Sequence, residues 1–324
     1  MALLDVEDLS IAITGKTGLL SVVEKCSFAI DLNQTLGIVG ESGCGKSLTA
    51  MAIMGLLEGS QVKITNGSIW FEGENLLNIS IRQRRRIMGD KMAMIFQEPM
   101  TSLNPVYRIG DQIVEALKQH RSMTASQYRK RALELLDLVR IPDHKQRVNS
   151  YPHQLSGGQR QRVMIAMALS CEPKLIIADE PTTALDVTVQ NEVLELMLDL
   201  QRRTGTAIIL ISHDMGVIAK TCDHVAVMYR GRIVEKSATT ELFANIQHPY
   251  TRGLLNSIPA IDSETEWLDA IPGRVPTLEE EINGCAFHPR CTHAQVQCAN
   301  TEPTACVLDN NHLVRCHFAG ELGL

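Results

Sequence analysis

Eight consecutive residues, Gly40, Glu41, Ser42, Gly43, Cys44, Gly45, Lys46 and Ser47, combine glycines, a lysine and a hydroxyl at a spacing suited to triphosphate chemistry. Glycines let the backbone curl so that successive N–H groups converge on phosphate oxygens, and a following helix adds partial positive charge at its start. In that arrangement Lys46 reaches the β- and γ-phosphates and the Ser47 hydroxyl holds Mg²⁺. Cys44 is expected to contribute its backbone N–H and not its sulfur. A second pair, Asp179-Glu180, follows the apolar residues Leu175 to Ala178. Carboxylates at the C-terminal end of a strand stand where an open α/β sheet presents catalytic groups. Asp179 is then a candidate for Mg²⁺, directly or through water, and Glu180 for polarising an attacking water. His213 is a candidate to sense the γ-phosphate beside Glu180; its bland alternative is a structural histidine.

The elements that must position these groups are legible around them. The apolar run Leu36 to Val39 predicts a strand leading into the glycine turn, and Met51, Met54 and Leu57 mark a helix after it. Upstream, residues 3 to 13 alternate as an edge strand and Val22 to Leu32 as a second extended segment. Residues 67–73 read as a short strand, and 91–96 as a strand ending at Gln97. Residues 109–140 are helical in period with no intervening strand, which suggests an inserted subdomain. A further helix follows Leu155-Ser156-Gly157-Gly158-Gln159. The chain then reads as a strand over 174–180, a helix over 187–203, a buried strand over 207–211, and a hairpin over 225–235 turning at Gly231.

At 324 residues with 44% apolar and 4% aromatic content, the chain suits a domain of about 250 residues plus an appendage. Its core must be aliphatic, with the thirteen methionines as packing. A net charge of −6 supplies no overall field for nucleic acid, and Arg82 to Arg86 reads as a solvated helix face. No run approaches the about 18 apolar residues that span a bilayer. Five of the nine cysteines lie between Cys285 and Cys316. With no basic start before an apolar block, the chain is expected in the cytoplasm, where disulfides are disfavoured. Metal or cluster ligation is therefore the functional alternative to inert thiols. The lack of a Cys-x-x-Cys pair weighs against structural zinc.

The ordered set of the phosphate loop, Gln97, Leu155 to Gln159, Asp179-Glu180, Ala184-Leu185-Asp186 and His213 resembles the ATP-binding subunits of ABC transporters. The resemblance spans about residues 1–240. It implies an α/β fold with a mixed sheet core, an antiparallel β subdomain and a helical subdomain at about 98–170. It also implies that Ser156, Gly157, Gly158 and Gln159 bind ATP held by an opposite subunit, that Asp186 contacts that subunit, and that Gln97 reaches both Mg²⁺ and the attacking water. Where such proteins usually place an aromatic ring on adenine, this chain has Leu19-Leu20, so weaker base discrimination is expected.

The remaining chain, 241–324, resembles the C-terminal extension of peptide-permease ATPases in His248 to Leu255, Ile271 to Pro276 and Gly284 to Cys291. That resemblance implies import of dipeptides, oligopeptides or a related solute such as nickel. The implied partners are a second related ATPase in a heterodimer, two transmembrane permease subunits and a solute-binding protein, at the cytoplasmic face of the membrane and without nucleic acid. It further implies a 4Fe–4S cluster on Cys285, Cys291, Cys298 and Cys316, with zinc as the alternative. A soluble ABC ATPase acting on nucleic acid or ribosomes, and a redox sensor with a vestigial ATPase, are the competing readings.

Overall fold

The computed structural model describes residues 2–15, 18–98, 102–183, 185–257 and 271–323. Its contacts divide the chain into two units, one of Met1–Ile30, Thr35–Leu77 and Leu210–Leu324, the other of Asp31–Gln34 and Asn78–Ile209.

The first unit holds an antiparallel sheet of β1 (Leu4–Gly15), β2 (Gly18–Ile30), β4 (Val62–Phe71) and β5 (Glu74–Asn75) in the order β2-β1-β4-β5. The expected edge strand is thus an interior one, because β1 pairs with β2 on one side and β4 on the other. Its pattern explains how this is possible. Leu4 and Val6 point inward on one phase and Leu9 and Ile11 on the other, and all four are buried. A register shift between Val6 and Leu9 absorbs the slip, with Asp8 at φ 46°. One extra residue in a strand restores the inward face that a period of two would otherwise lose. Of residues 67–73, those to Phe71 prove to be the end of the longer strand β4, and Glu72 and Gly73 form the turn into β5.

The same unit carries β3 (Thr35–Val39) parallel to β9 (His224–Tyr229), with β10 (Arg232–Ala238) antiparallel on β9. The last strands, β11 (Cys306–Val307) and β12 (Leu313–Val314), join this sheet through a β12–β10 pairing. Helix α1 (Lys46–Met54) follows β3.

In the second unit β6 (Met92–Ile95) pairs in parallel with β7 (Leu175–Asp179). Its described helices include α2 (Ile81–Ile87), α3 (Ile109–His120), α4 (Ala125–Leu138), the single turn α5 (His144–Arg147), α6 (Gly157–Ala168) and α7 (Val187–Thr204). The helical run expected over 109–140 is broken before Thr124, whose hydroxyl caps α4 with Gln127. Arg82, Arg85 and Arg86 lie exposed on α2, as a solvated face. Strand β8 (Ala207–Ser212) runs across the division, and α8 (Met215–Thr221), α9 (Thr239–Ala244), α10 (Pro249–Asn256) and α11 (Val296–Asn300) complete the chain. Met92, Met215 and Met228 are buried, as a packing role requires.

Candidate functional site

In the first unit, all five residues of β3 are buried and deliver the chain into the glycine turn. Gly40 has φ 155°, and a Cβ there would lie 2.1 Å from the Met228 carbonyl oxygen. The turn therefore needs glycine for space as well as for conformation. Helix α1 is entered through Gly45 at φ 105° with no side-chain cap. A glycine at this position has no side chain to cap the helix, and helix starts are where phosphate is received. Lys46 is buried, and its ammonium donates to the Gly40 carbonyl at 2.7 Å and the Glu41 carbonyl at 3.1 Å. Burial pushes the Cys44 thiol up from its ordinary value, so its sulfur is a packed neutral group. Its N–H donates to the Glu41 carbonyl at 3.3 Å. Ser42 and Gly43 are exposed and Ser47 is half-buried. His213 is exposed between β8 and α8, and Asp214 beside it caps α8 through bonds from the Gly216 and Val217 N–H groups.

In the second unit, Asp179 ends β7 and is buried. Glu180 follows at φ 45°, a left-handed conformation that costs a non-glycine residue about 1–3 kcal/mol. Its carboxylate is gripped twice: Gln97 Nε2 donates to Oε2 at 3.0 Å and Thr183 Oγ1 to the same oxygen at 2.9 Å. The structure thus brings Gln97 and Glu180 together and adds Thr183, which sequence reasoning missed. The available signal was a hydroxyl three residues past the carboxylate, across a turn closed by the Thr183 N–H on the Glu180 carbonyl.

Ser156 caps α6. Its hydroxyl accepts from the Gln159 N–H at 3.3 Å while the Gln159 side chain accepts from the Ser156 N–H at 3.2 Å, a closed capping box. A Cβ on Gly158 would meet Val189 Cγ1 at 2.4 Å, so close packing of α6 on α7 by itself demands glycine there. Gly157 has more room, with Leu185 at 3.4 Å. Asp186 caps α7 by accepting from the Val189 N–H at 3.0 Å. Ala184 lies outside the described residues.

Cys285, Cys291 and Cys316 are half-buried, Cys298 is buried and Cys306 exposed. The Cys285 N–H donates to the Cys298 carbonyl at 2.8 Å. Burial pushes the Cys285, Cys291 and Cys316 thiols up, Cys291 to about 11, and neighbouring cysteines add to the rise. Yet among the described residues no three His, Cys, Asp or Glu side chains gather as a metal-binding group. Cys285, Cys291, Cys298 and Cys316, the 4Fe–4S ligands that the resemblance implies, are electrostatic neighbours in the tail.

Two family profiles match the chain: "ABC transporter" over residues 23–183 and "Oligopeptide/dipeptide transporter, C-terminal region" over 234–298. A probable peptide ABC transporter ATP-binding protein of Sinorhizobium fredii is 48% identical over 321 residues, covering 99% of this chain and 96% of the relative. The dipeptide transport ATP-binding protein of Escherichia coli is 44% identical over 318 residues, covering 98% and 97%. Among solved structures, a dimeric ATP-binding cassette in a post-hydrolysis state bound to ADP and Pi superposes with a TM-score of 0.65 at 26% identity, covering 73% of this chain and 98% of that one. A component of an ABC transporter complex from Clostridium perfringens gives 0.63 at 28% identity, covering 75% and 91%.

Proposed function

That the chain belongs to the ABC transporter ATP-binding proteins is the premise from which we propose its function: the ATP-hydrolysing subunit of an importer for dipeptides or oligopeptides. The observation that carries the chemistry is the Glu180 carboxylate, fixed by Gln97 and Thr183 directly after Asp179. A carboxylate held by two donors stays oriented towards one side, which is what activating a water requires. Support for peptide as the solute is the near full-length likeness to peptide-transport relatives, tail included.

Lys46 holds the β- and γ-phosphates, and the loop Gly40 to Ser47 wraps around them, with the Glu41 N–H kept by Tyr250. Ser47, Asp179 and Gln97 offer oxygen donors, the class that Mg²⁺ takes, and the ion supplies charge neutralisation for the phosphates. Glu180 polarises the water, and His213 follows the state of the γ-phosphate. Ser156 to Gln159 and Asp186 act on a second subunit, a reading supported by the dimeric form of a solved relative.

In this reading residues 1–240 are the ATP-binding domain, about 98–170 its helical part, and 241–324 the extension. The partners are a related ATPase in a heterodimer, two permease subunits and a solute-binding protein, at the cytoplasmic membrane face. No described helix is long and apolar enough to cross a membrane. A 4Fe–4S cluster in the tail rests on resemblance and on the closeness of its thiols, not on a preformed site, and no step is routed through it.

The test is to purify the tagged chain from detergent-solubilised membranes and assay the complex. Two multi-spanning proteins and a second ATPase should co-purify, with ATP turnover raised by dipeptide-loaded binding protein. In that complex Glu180→Gln should lower turnover by about 100-fold or more while ATP still binds. Undiminished turnover moves catalysis elsewhere; recovery only with ribosomes or nucleic acid removes the transport reading, and stimulation by nickel alone replaces the peptide.

A further inference from the structure

We infer that the C-terminal segment is a working part of the phosphate loop: Tyr250 and Arg290 are positioning residues that hold Glu41, and through it Lys46, in the geometry that receives nucleotide phosphates. The inference rests on reading residues 40–47 as that loop.

Glu41 is a hub whose backbone and side chain are both engaged. Its N–H donates to the Tyr250 hydroxyl at 2.8 Å. Its carbonyl accepts from Lys46 Nζ at 3.1 Å and from the Cys44 N–H at 3.3 Å. Its carboxylate takes two bonds from Arg290, from Nη1 at 2.7 Å and Nη2 at 3.0 Å. Tyr250 and Arg290 lie 209 and 249 residues further along the chain. A two-pronged guanidinium grip fixes direction as well as distance. The side chains of Arg290 and Glu41 are only 4% and 28% exposed, so water screens the pair weakly, and removing one partner strands the other charge in a dry place.

The grip is itself anchored. Arg290 Nε donates to the Pro272 carbonyl at 2.9 Å, and its guanidinium lies 5.9 Å from the centre of the Tyr229 ring. Phe287 packs edge-on against Tyr229 at 5.2 Å and tilted against Tyr250 at 5.3 Å. The Tyr250 N–H donates to His248 Nδ1 at 3.1 Å, the His248 N–H to Glu235 Oε2 at 3.3 Å, and Glu235 Oε1 sits 2.9 Å from His312 Nε2. Two tail segments, around 248–250 and 287–290, therefore meet one residue of the loop, and a third, at Pro272, holds Arg290 in place.

The consequence is selective. Lys46 hydrogen-bonds the Glu41 carbonyl, so a shift of Glu41 displaces the ammonium that meets the phosphates. The groups read as water-activating, Gln97 and Glu180, are fixed by their own bonds to each other and to Thr183. Loosening the grip should weaken nucleotide binding more than it slows turnover by loaded protein.

The experiment measures KM for ATP, kcat and direct ATP binding in the assembled complex for Arg290→Gln, Arg290→Lys, Tyr250→Phe, Glu41→Gln and the Arg290→Gln/Glu41→Gln pair. Arg290→Gln should raise KM about tenfold, the factor that about 1.4 kcal/mol supplies, with kcat within about twofold. Arg290→Lys should recover part of the loss, keeping the charge without the fork. Tyr250→Phe removes one oxygen from a well-packed ring, so the protein should fold, and it should raise KM about threefold, the scale of one neutral hydrogen bond. The pair should cost less than the sum of its members. An unchanged KM in Arg290→Gln and Tyr250→Phe, strict additivity in the pair, or a loss confined to kcat and thermal stability overturns the inference. Lys46→Ala separates the premise from the inference. If ATP binding survives it, the loop reading fails and the inference with it; if it abolishes binding while the tail variants leave KM unchanged, the inference alone fails.

Discussion

Helix α1 is reached through Gly45, at a positive φ and without a capping side chain, whereas helix α6 is reached through Ser156, whose hydroxyl closes a capping box with Gln159. Both helix starts are glycine-rich, and both are read as meeting phosphate. The start of α6 is specified by residues three apart. The turn before α1 takes its shape from distant chain: Met228 sets the space at Gly40, Tyr250 takes the Glu41 N–H, and Arg290 takes its carboxylate. Local capping survives disturbance elsewhere, while a turn held by remote partners responds to them. The difference makes the start of α1 adjustable and the cap of α6 local, although Gly158 behind that cap answers to Val189.

The sharpest way to break this contrast is Gly40→Ala. The new methyl would have to displace the Met228 carbonyl oxygen, now 2.1 Å from its place, and the backbone would be held at φ 155°. ATP affinity should fall by about 100-fold or more, equal to about 2.7 kcal/mol, in equilibrium binding. A loss below about threefold would mean that the turn does not depend on β9 for its shape.

A smaller effect should come from acid. Burial holds His248 down at about 4, against an ordinary 6.5, with Glu235 and the Arg315 backbone pulling the other way. The unfolded chain therefore takes up a proton below about 6.5 that the folded chain refuses until about 4. Stability from this group is complete above the higher value and is lost as pH falls towards the lower one, on the order of 3 kcal/mol in all. Unfolding midpoints across that window should show the slope, and His248→Gln should flatten it. ATP affinity should decline with it, since His248 accepts the Tyr250 N–H, whereas the α6 cap contains no group that titrates there. A slope unchanged by His248→Gln assigns the acid sensitivity to another group.

The smallest effect tests the locally capped helix. Ser156→Ala should cost about 1 kcal/mol of stability, and Ser156→Asp should restore it, because aspartate caps as well as serine. Thermal midpoints decide this, and equal values for the two variants would show that the cap contributes nothing.

Much of the candidate site was legible because its residues are contiguous. The strand Leu36–Val39, the turn after it and the start of α1 follow from composition and periodicity alone, and so does the strand that ends in Asp179. Glu180 was nameable from its place at a strand end and the role of Gln97 only through resemblance; the 3.0 Å bond between them, across 83 positions, is tertiary. Thr183 was missed because a threonine in a turn has no periodic signature. The interior place of β1 was missed because its alternation slips phase at Asp8, which local pattern reads as weak pairing. The cysteines are a different case: their clustering in sequence suggests ligation, and the structure sets Cys285, Cys291, Cys298 and Cys316 within electrostatic reach of one another.

The sequence by itself determined the strand-turn-helix that receives phosphate, the α6 cap and the carboxylates at the end of β7, because each depends on neighbours within a few residues. Only the tertiary structure decided that Glu180 is held by Gln97 and Thr183, that Gly158 is required by Val189, and that Glu41 is gripped by Tyr250 and Arg290. Those contacts join residues that no local propensity relates, and they exist because burial of the surrounding apolar side chains brings distant chain together.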